Sequence, residues 1–123
     1  MKESLTFDFC DMTIFDSYVI VVMKEGVDIK PKHNDVLVEI TNTYFSDKPF
    51  VYITHRVNSY SVDPKVYHET SKIKNLKGFA VVSSNYQAKF NAQIEQMFFK
   101  EPFEIFTKLE DAIDWAKKLV KDN

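Results

Sequence analysis

Residues 103–120 read Phe103-Glu104-Ile105-Phe106-Thr107-Lys108-Leu109-Glu110-Asp111-Ala112-Ile113-Asp114-Trp115-Ala116-Lys117-Lys118-Leu119-Val120. This is a short strand, Phe103 to Phe106, running straight into an amphipathic helix. Thr107 and Glu110 have the spacing of a capping box, in which each side chain satisfies an N–H at the helix start. Leu109, Ala112, Ile113, Ala116, Leu119 and Val120 recur on one face, with Trp115 at its margin. Acids (Glu110, Asp111, Asp114) precede lysines (Lys117, Lys118, Lys121), the order that the helix dipole favours. A strand and a helix in immediate succession are the closing unit of an α/β domain.

Working backwards, the same alternation recurs. Ser84 and Gln87 have a second capping-box spacing, ahead of a helix whose apolar side is Tyr86, Phe90, Ile94, Met97 and Phe98. Pro102 stops that helix. Lys77-Gly78 introduces a strand from Phe79 to Val82, and Asp63-Pro64 reads as an N-cap with a first-turn proline before Val66, Tyr67 and Thr70. Phe50 to His55 is a strand. A helix that begins near Pro31 carries Val36, Leu37, Ile40, Tyr44 and Phe45 and ends at Asp47-Lys48-Pro49. Tyr18 to Met23 is continuously apolar and β-branched, as in a strand covered on both faces. At the N-terminus Leu5 to Cys10 alternates, and Asp11-Met12 reads as a tight connection to Thr13-Ile14-Phe15.

This order predicts a single α/β domain over 1–123. Its sheet is mixed but mainly parallel, with four to six strands and about four helices packed on it. At 123 residues, 45% of them hydrophobic and with eleven Phe and six Tyr, the chain builds a core without metals or disulfides. Its one cysteine, Cys10, excludes an intramolecular disulfide and a multi-cysteine metal site, and reads as an inert packing residue.

Composition also narrows function. Net charge is -2 and Arg56 is the only arginine, so neither a basic field nor a set of Arg forks recommends nucleic acid as a partner. Two isolated glycines, Gly26 and Gly78, supply neither a phosphate-cradling loop nor a dinucleotide turn. The longest apolar run, Tyr18 to Met23, is too short to span a bilayer, and no signal peptide is evident at the N-terminus. A cytoplasmic protein without a transmembrane segment is the expectation.

His33, His55 and His68 lie in separate elements without metal-ligand spacing, and no nucleophile elbow marks a serine. Catalytic, cofactor and metal residues are therefore assigned to none. The segment Arg56-Val57-Asn58-Ser59-Tyr60-Ser61-Val62-Asp63 joins a central strand to a helix start, where an anion is favoured. Arg56, Asn58, Ser59, Ser61 and Asp63 make it a candidate anion or phosphorylation loop; turn and cap formation accounts for the same residue types. Tyr60, Phe90, Phe98 and Phe99 are candidates for an apolar ligand pocket or a dimer surface.

The strands Tyr18 to Met23 and Phe50 to His55, together with Phe106, Glu110-Asp111-Ala112 and Trp115, resemble the SpoIIAA-like group of the STAS superfamily. The resemblance runs over nearly the whole chain and implies helices against a mixed sheet, an outline shared with CRAL-TRIO-type lipid-transfer domains. Anti-sigma-factor antagonists of that superfamily carry an Asp-Ser-Ser/Thr-Gly-type phosphorylation motif. Here the corresponding Asn58-Ser59-Tyr60-Ser61 lacks the leading Asp and the Gly. The resemblance implies no catalytic residues. It fits a non-catalytic regulatory or interaction module that binds a protein partner or itself, with a carrier or sensor of a hydrophobic small molecule or lipid, or an unrecognised enzyme, as alternatives.

Overall fold

A computed structural model describes residues 3–122. Six strands form one sheet in the order β1 (Glu3–Thr6), β2 (Cys10–Ile14), β3 (Tyr18–Met23), β5 (Phe50–His55), β7 (Leu76–Val82), β8 (Phe103–Phe106). The first three are an antiparallel meander, and β3, β5, β7 and β8 are parallel. Three crossovers carry α1 (Asn34–Ile40), α2 (Lys65–Thr70) and α3 (Tyr86–Glu95), and α4 (Leu109–Lys121) closes the chain. A parallel ribbon of β4 (Asp28–Ile29) and β6 (Ser61–Val62) lies apart from the sheet. The α/β class and mixed sheet are those expected; the β4–β6 ribbon is an addition that two-residue strands give no periodicity to reveal.

Alternation along the strands sorts two cores. Val19, Val21, Phe50, Tyr52, Phe79, Val81 and Phe103 face one side, with Leu37 and Ile40 of α1 and Val66 and Tyr67 of α2. Tyr18, Val51, Ile53, Ala80 and Val82 face the other, against Ala112 and Ala116 of α4. The central strands are thus buried on both faces, as their unbroken apolar runs require.

Local boundaries differ from expectation in several places, and β7 already begins at Leu76 rather than Phe79. The N-terminal turn falls at Phe7–Phe9, where Phe7 N–H bonds to Cys10 O at 2.8 Å, so Cys10 opens the second strand. That register buries Cys10, Met12 and Ile14 together on one side, which outweighs the alternation from Leu5 to Cys10. Neither capping box forms. Asn85 caps α3, its Oδ1 accepting from Ala88 N at 2.9 Å. The α4 cap position is Lys108 without a side-chain cap, and the Thr107 hydroxyl instead accepts from Lys89 Nζ across the gap to α3.

Asp63 Oδ1 accepts from Lys65 N at 3.0 Å, at the start of α2. Helix α1 continues as a π-helical segment, Thr41–Phe45, and stops at Ser46, whose φ of 46° ends the helical run ahead of Pro49.

Gly78 sets how closely α4 lies on β7. A Cβ there would meet Leu119 Cδ2 at 2.5 Å and Trp115 Cη2 at 3.0 Å. It also directly follows a register shift, since Phe50 pairs with Leu76 but Val51 pairs with Gly78. Gly78→Ala is accordingly expected to lower stability by about 1–3 kcal/mol through overpacking, read as a lower urea midpoint with an unchanged m-value. A neutral result would show that α4 does not rest on this glycine.

Candidate functional site

Arg56 leaves the end of β5 and turns inward. Its guanidinium forks onto the Glu95 carboxylate of α3: Nη1 donates to Oε2 at 3.1 Å and Nη2 donates to Oε1. The Tyr67 hydroxyl of α2 donates to the same Oε1. The two charged side chains are only 7% and 10% exposed, so this is a buried ion pair. Tyr60 lies beside it, with its ring centroid 5.3 Å from Arg56 Cζ and its hydroxyl 3.0 Å from Thr54 Oγ1. One arginine therefore ties β5, α2, α3 and the following loop together.

Burial works against the Arg56 charge, but Tyr60, Glu95 and Tyr67 more than offset it and hold the guanidinium above its ordinary value. Burial, reinforced by the Glu95 charge, pushes the Tyr67 phenol well up. Burial likewise raises Tyr60, against the opposing pull of Arg56. The cluster thus holds a charged Arg56 beside phenols that stay neutral at neutral pH. It is matched internally and offers no spare charge to an anion. Arg56 Nε–H is the one donor of the fork that lacks a protein acceptor.

Beneath the cluster lies a cavity of about 50 Å³ lined chiefly by apolar side chains, among them Met12, Met23, Leu37 and Tyr52. It has room for water but not for a drug-sized molecule, whose sites measure roughly 300–1,000 Å³. Above it, at the carboxyl ends of β5 and β7, an open cleft of about 420 Å³ is lined by Glu25, Asn58, Ser59, Asn85, Gln87 and Asn91. Arg56 and Tyr60 line both spaces and so form the partition between them.

The loop residues expected to receive an anion are engaged otherwise. Asn58 Nδ2 donates to Met23 O at 2.9 Å, Ser59 N donates to Glu25 Oε1 at 3.0 Å, and Ser61 Oγ donates to Asp28 Oδ1 at 3.0 Å. A phosphate on Ser61 would face the Asp28 carboxylate, which repels it. Asp63 accepts from Lys65 N at the start of α2, a helix of six residues.

The four aromatic candidates do not converge. Tyr60 sits at the cavity, and Phe99 is buried against Tyr67, Phe79 and Phe103. Phe90 and Phe98 lie on the outer side of α3 and the turn behind it, 47% and 48% exposed. They share that side with Tyr86 (82%), Ile94 (45%) and Met97 (81%). The helical recurrence is therefore real, but it faces solvent. The buried positions of α3 are Ala92 and Glu95. The physical reason is the ion pair, because Glu95 must point inward to meet Arg56, and that sends the apolar stripe outward.

Two residues of the cluster, Tyr67 and Glu95, were not among the candidates. One signal was available: Arg56 is the only arginine, and Glu95 is the only acid between Asp63-to-Glu69 and Glu101. Cys10 is fully buried, and desolvation pushes its thiol up to about 12. His33 Nδ1 accepts from Lys30 N at 2.9 Å, and its ring lies 4.6 Å from that of Phe9. Among the described residues no group of His, Cys, Asp and Glu is placed to hold a metal ion, and no helix is long and apolar enough to cross a membrane.

Among solved structures, the chain is similar to an uncharacterized protein of the DUF3478 family, with a SpoIIAA-like fold, from Shewanella loihica PV-4. The TM-score is 0.54 at 12% identity, covering 94% of this chain and 92% of that one. The likeness is one of fold: the chain has a SpoIIAA-like α/β fold. No family model matches the chain, and no curated protein matches it.

Leaving one member of the buried pair without its partner should be costly. Glu95→Gln is expected to destabilise the domain by about 3–5 kcal/mol, because it strands the Arg56 charge, whereas the double change Arg56→Met with Glu95→Leu recovers most of that loss. Urea unfolding of the three variants checks this. Equal losses in the single and the double variant would remove the ion pair from the account.

Proposed function

We propose that the chain is a non-catalytic interaction module that docks a protein on the outer face of α3. One observation carries the reading: an apolar stripe of Tyr86, Phe90, Ile94, Met97 and Phe98 stands in solvent while the core beside it is filled. Single exposed apolar residues are ordinary, but a contiguous stripe on one helix face marks a contact surface. The charged side chains of the polar cluster are buried and paired with each other, and that supports a structural role for it rather than chemistry. The carrier reading draws little support from a cavity of about 50 Å³.

The test is photocrosslinking in cells of the source organism. A benzophenone amino acid replaces Met97 on the stripe or, as a control, Lys117 on the exposed side of α4. A discrete protein adduct from position 97, and none from 117, is the expected outcome. Absence of any adduct from 97 would overturn the reading.

A further inference from the structure

We infer that the protein docked on α3 is a second copy of this chain, held in an antiparallel helix pair about a two-fold axis. The inference rests on the docking role proposed above and names its occupant.

Area is the first argument. Taking about 200 Å² for a large side chain, the fractional exposures along the stripe leave on the order of 600 Å² uncovered. That is at the top of what a typical monomer exposes in one patch. It is also most of the roughly 800 Å² per partner that a stable interface buries, and the flanking carboxamides of Gln87, Asn91 and Gln93 supply the rim.

Charge is the second. Along 86–98 the only charged residues are Lys89 and Glu95. Glu95 is buried on Arg56, and Lys89 Nζ is hydrogen-bonded to Thr107. The stripe thus offers nothing to attract a charged partner and nothing to repel its own image, and charge depletion is the mark of an interface core. A self-contact is isologous, so one uncharged apolar surface satisfies both sides.

Geometry is the third. Tyr86, Phe90 and Ile94 recur every four residues and so form one continuous ridge along the helix. Antiparallel pairing about an axis between Phe90 and Ile94 brings Phe90 to the partner's Ile94 and Tyr86 to the partner's Phe98. The neighbouring sheet edge is not the contact. Gln96 Nε2 donates to Phe103 O at 2.6 Å and occupies part of the open side of β8, which discourages strand-to-strand joining.

Sedimentation and an oxidative cross-link test the arrangement together. The wild-type chain is expected to be dimeric at micromolar concentration. Phe90→Glu with Ile94→Glu should raise the dissociation constant by at least about 100-fold, since two central contacts are lost. Both positions face solvent, so the variant should keep the wild-type circular dichroism. Tyr86→Cys with Phe98→Cys should form a covalent dimer on oxidation, whereas neither single variant should. The two positions lie roughly 18 Å apart along the helix, and a disulfide needs Cα atoms within about 7 Å. Buried Cys10 does not compete.

A wild-type chain that stays monomeric at about 100 µM, an affinity too weak to matter in a cell, would overturn the proposal. So would single-cysteine variants that cross-link as well as the double one. The photo-adduct separates this failure from failure of the docking role: twice the 14.4 kDa chain mass supports self-association. A different mass refutes the second copy alone, and no adduct refutes both.

Discussion

The buried pairing of Arg56 with Glu95 is the constraint from which the rest of the molecule follows. An isolated guanidinium at the end of a buried strand would be prohibitively costly, so a carboxylate has to reach it. Glu95 does so from a crossover helix and Tyr67 supports it from another, which fixes α2 and α3 relative to the sheet and to each other. Around the pair, Tyr67, Phe79, Phe99 and Phe103 form an edge-to-face and stacked aromatic cluster, with ring centroids 5.1–6.4 Å apart. Polar specificity and aromatic packing therefore act on the same few elements. Their joint result is the rotation of α3, and that rotation decides which residues the protein shows to its surroundings.

Much of the architecture was legible because strand burial writes itself into composition. Tyr18–Met23 and Phe50–His55 are unbroken β-branched or aromatic runs, and both are central strands with the expected ends. The first hairpin was harder. Leu5, Phe7 and Phe9 alternate as well as Cys10, Met12 and Ile14 do, and only packing against β3 selects the second set. Cap spacing was an unsafe guide to helix starts. Ser84 and Thr107 each precede a suitable glutamine or glutamate, but Asn85 caps α3 and the hydroxyl of Thr107 is engaged by Lys89.

The site was less legible, for a physical reason. Periodicity identifies an apolar side of a helix but does not say whether that side meets the sheet. Tyr86, Phe90 and Ile94 look like core residues until the demand of Arg56 for Glu95 is known. Arg56 itself was singled out, but as a free cation awaiting an anion, since its partner lies 39 positions further on. The same long-range closure uses up Asn58, Ser59 and Ser61, whose bonds run back to Met23, Glu25 and Asp28. In this SpoIIAA-like fold the strand-end loop is bonded back to the end of β3 and the segment after it, and the surface that carries the proposed function is a helix face turned outward.

The most direct measurement is hydroxyl-radical footprinting of the wild-type chain, diluted until it no longer associates. If Glu95 points inward and turns the stripe to solvent, Met97 and Tyr86 should oxidise rapidly, while Met12 and Met23 stay protected in the core. Slow oxidation of Met97 and Tyr86 under those conditions, on a par with Met12, would mean that α3 packs its apolar side against the sheet, and would contradict the account.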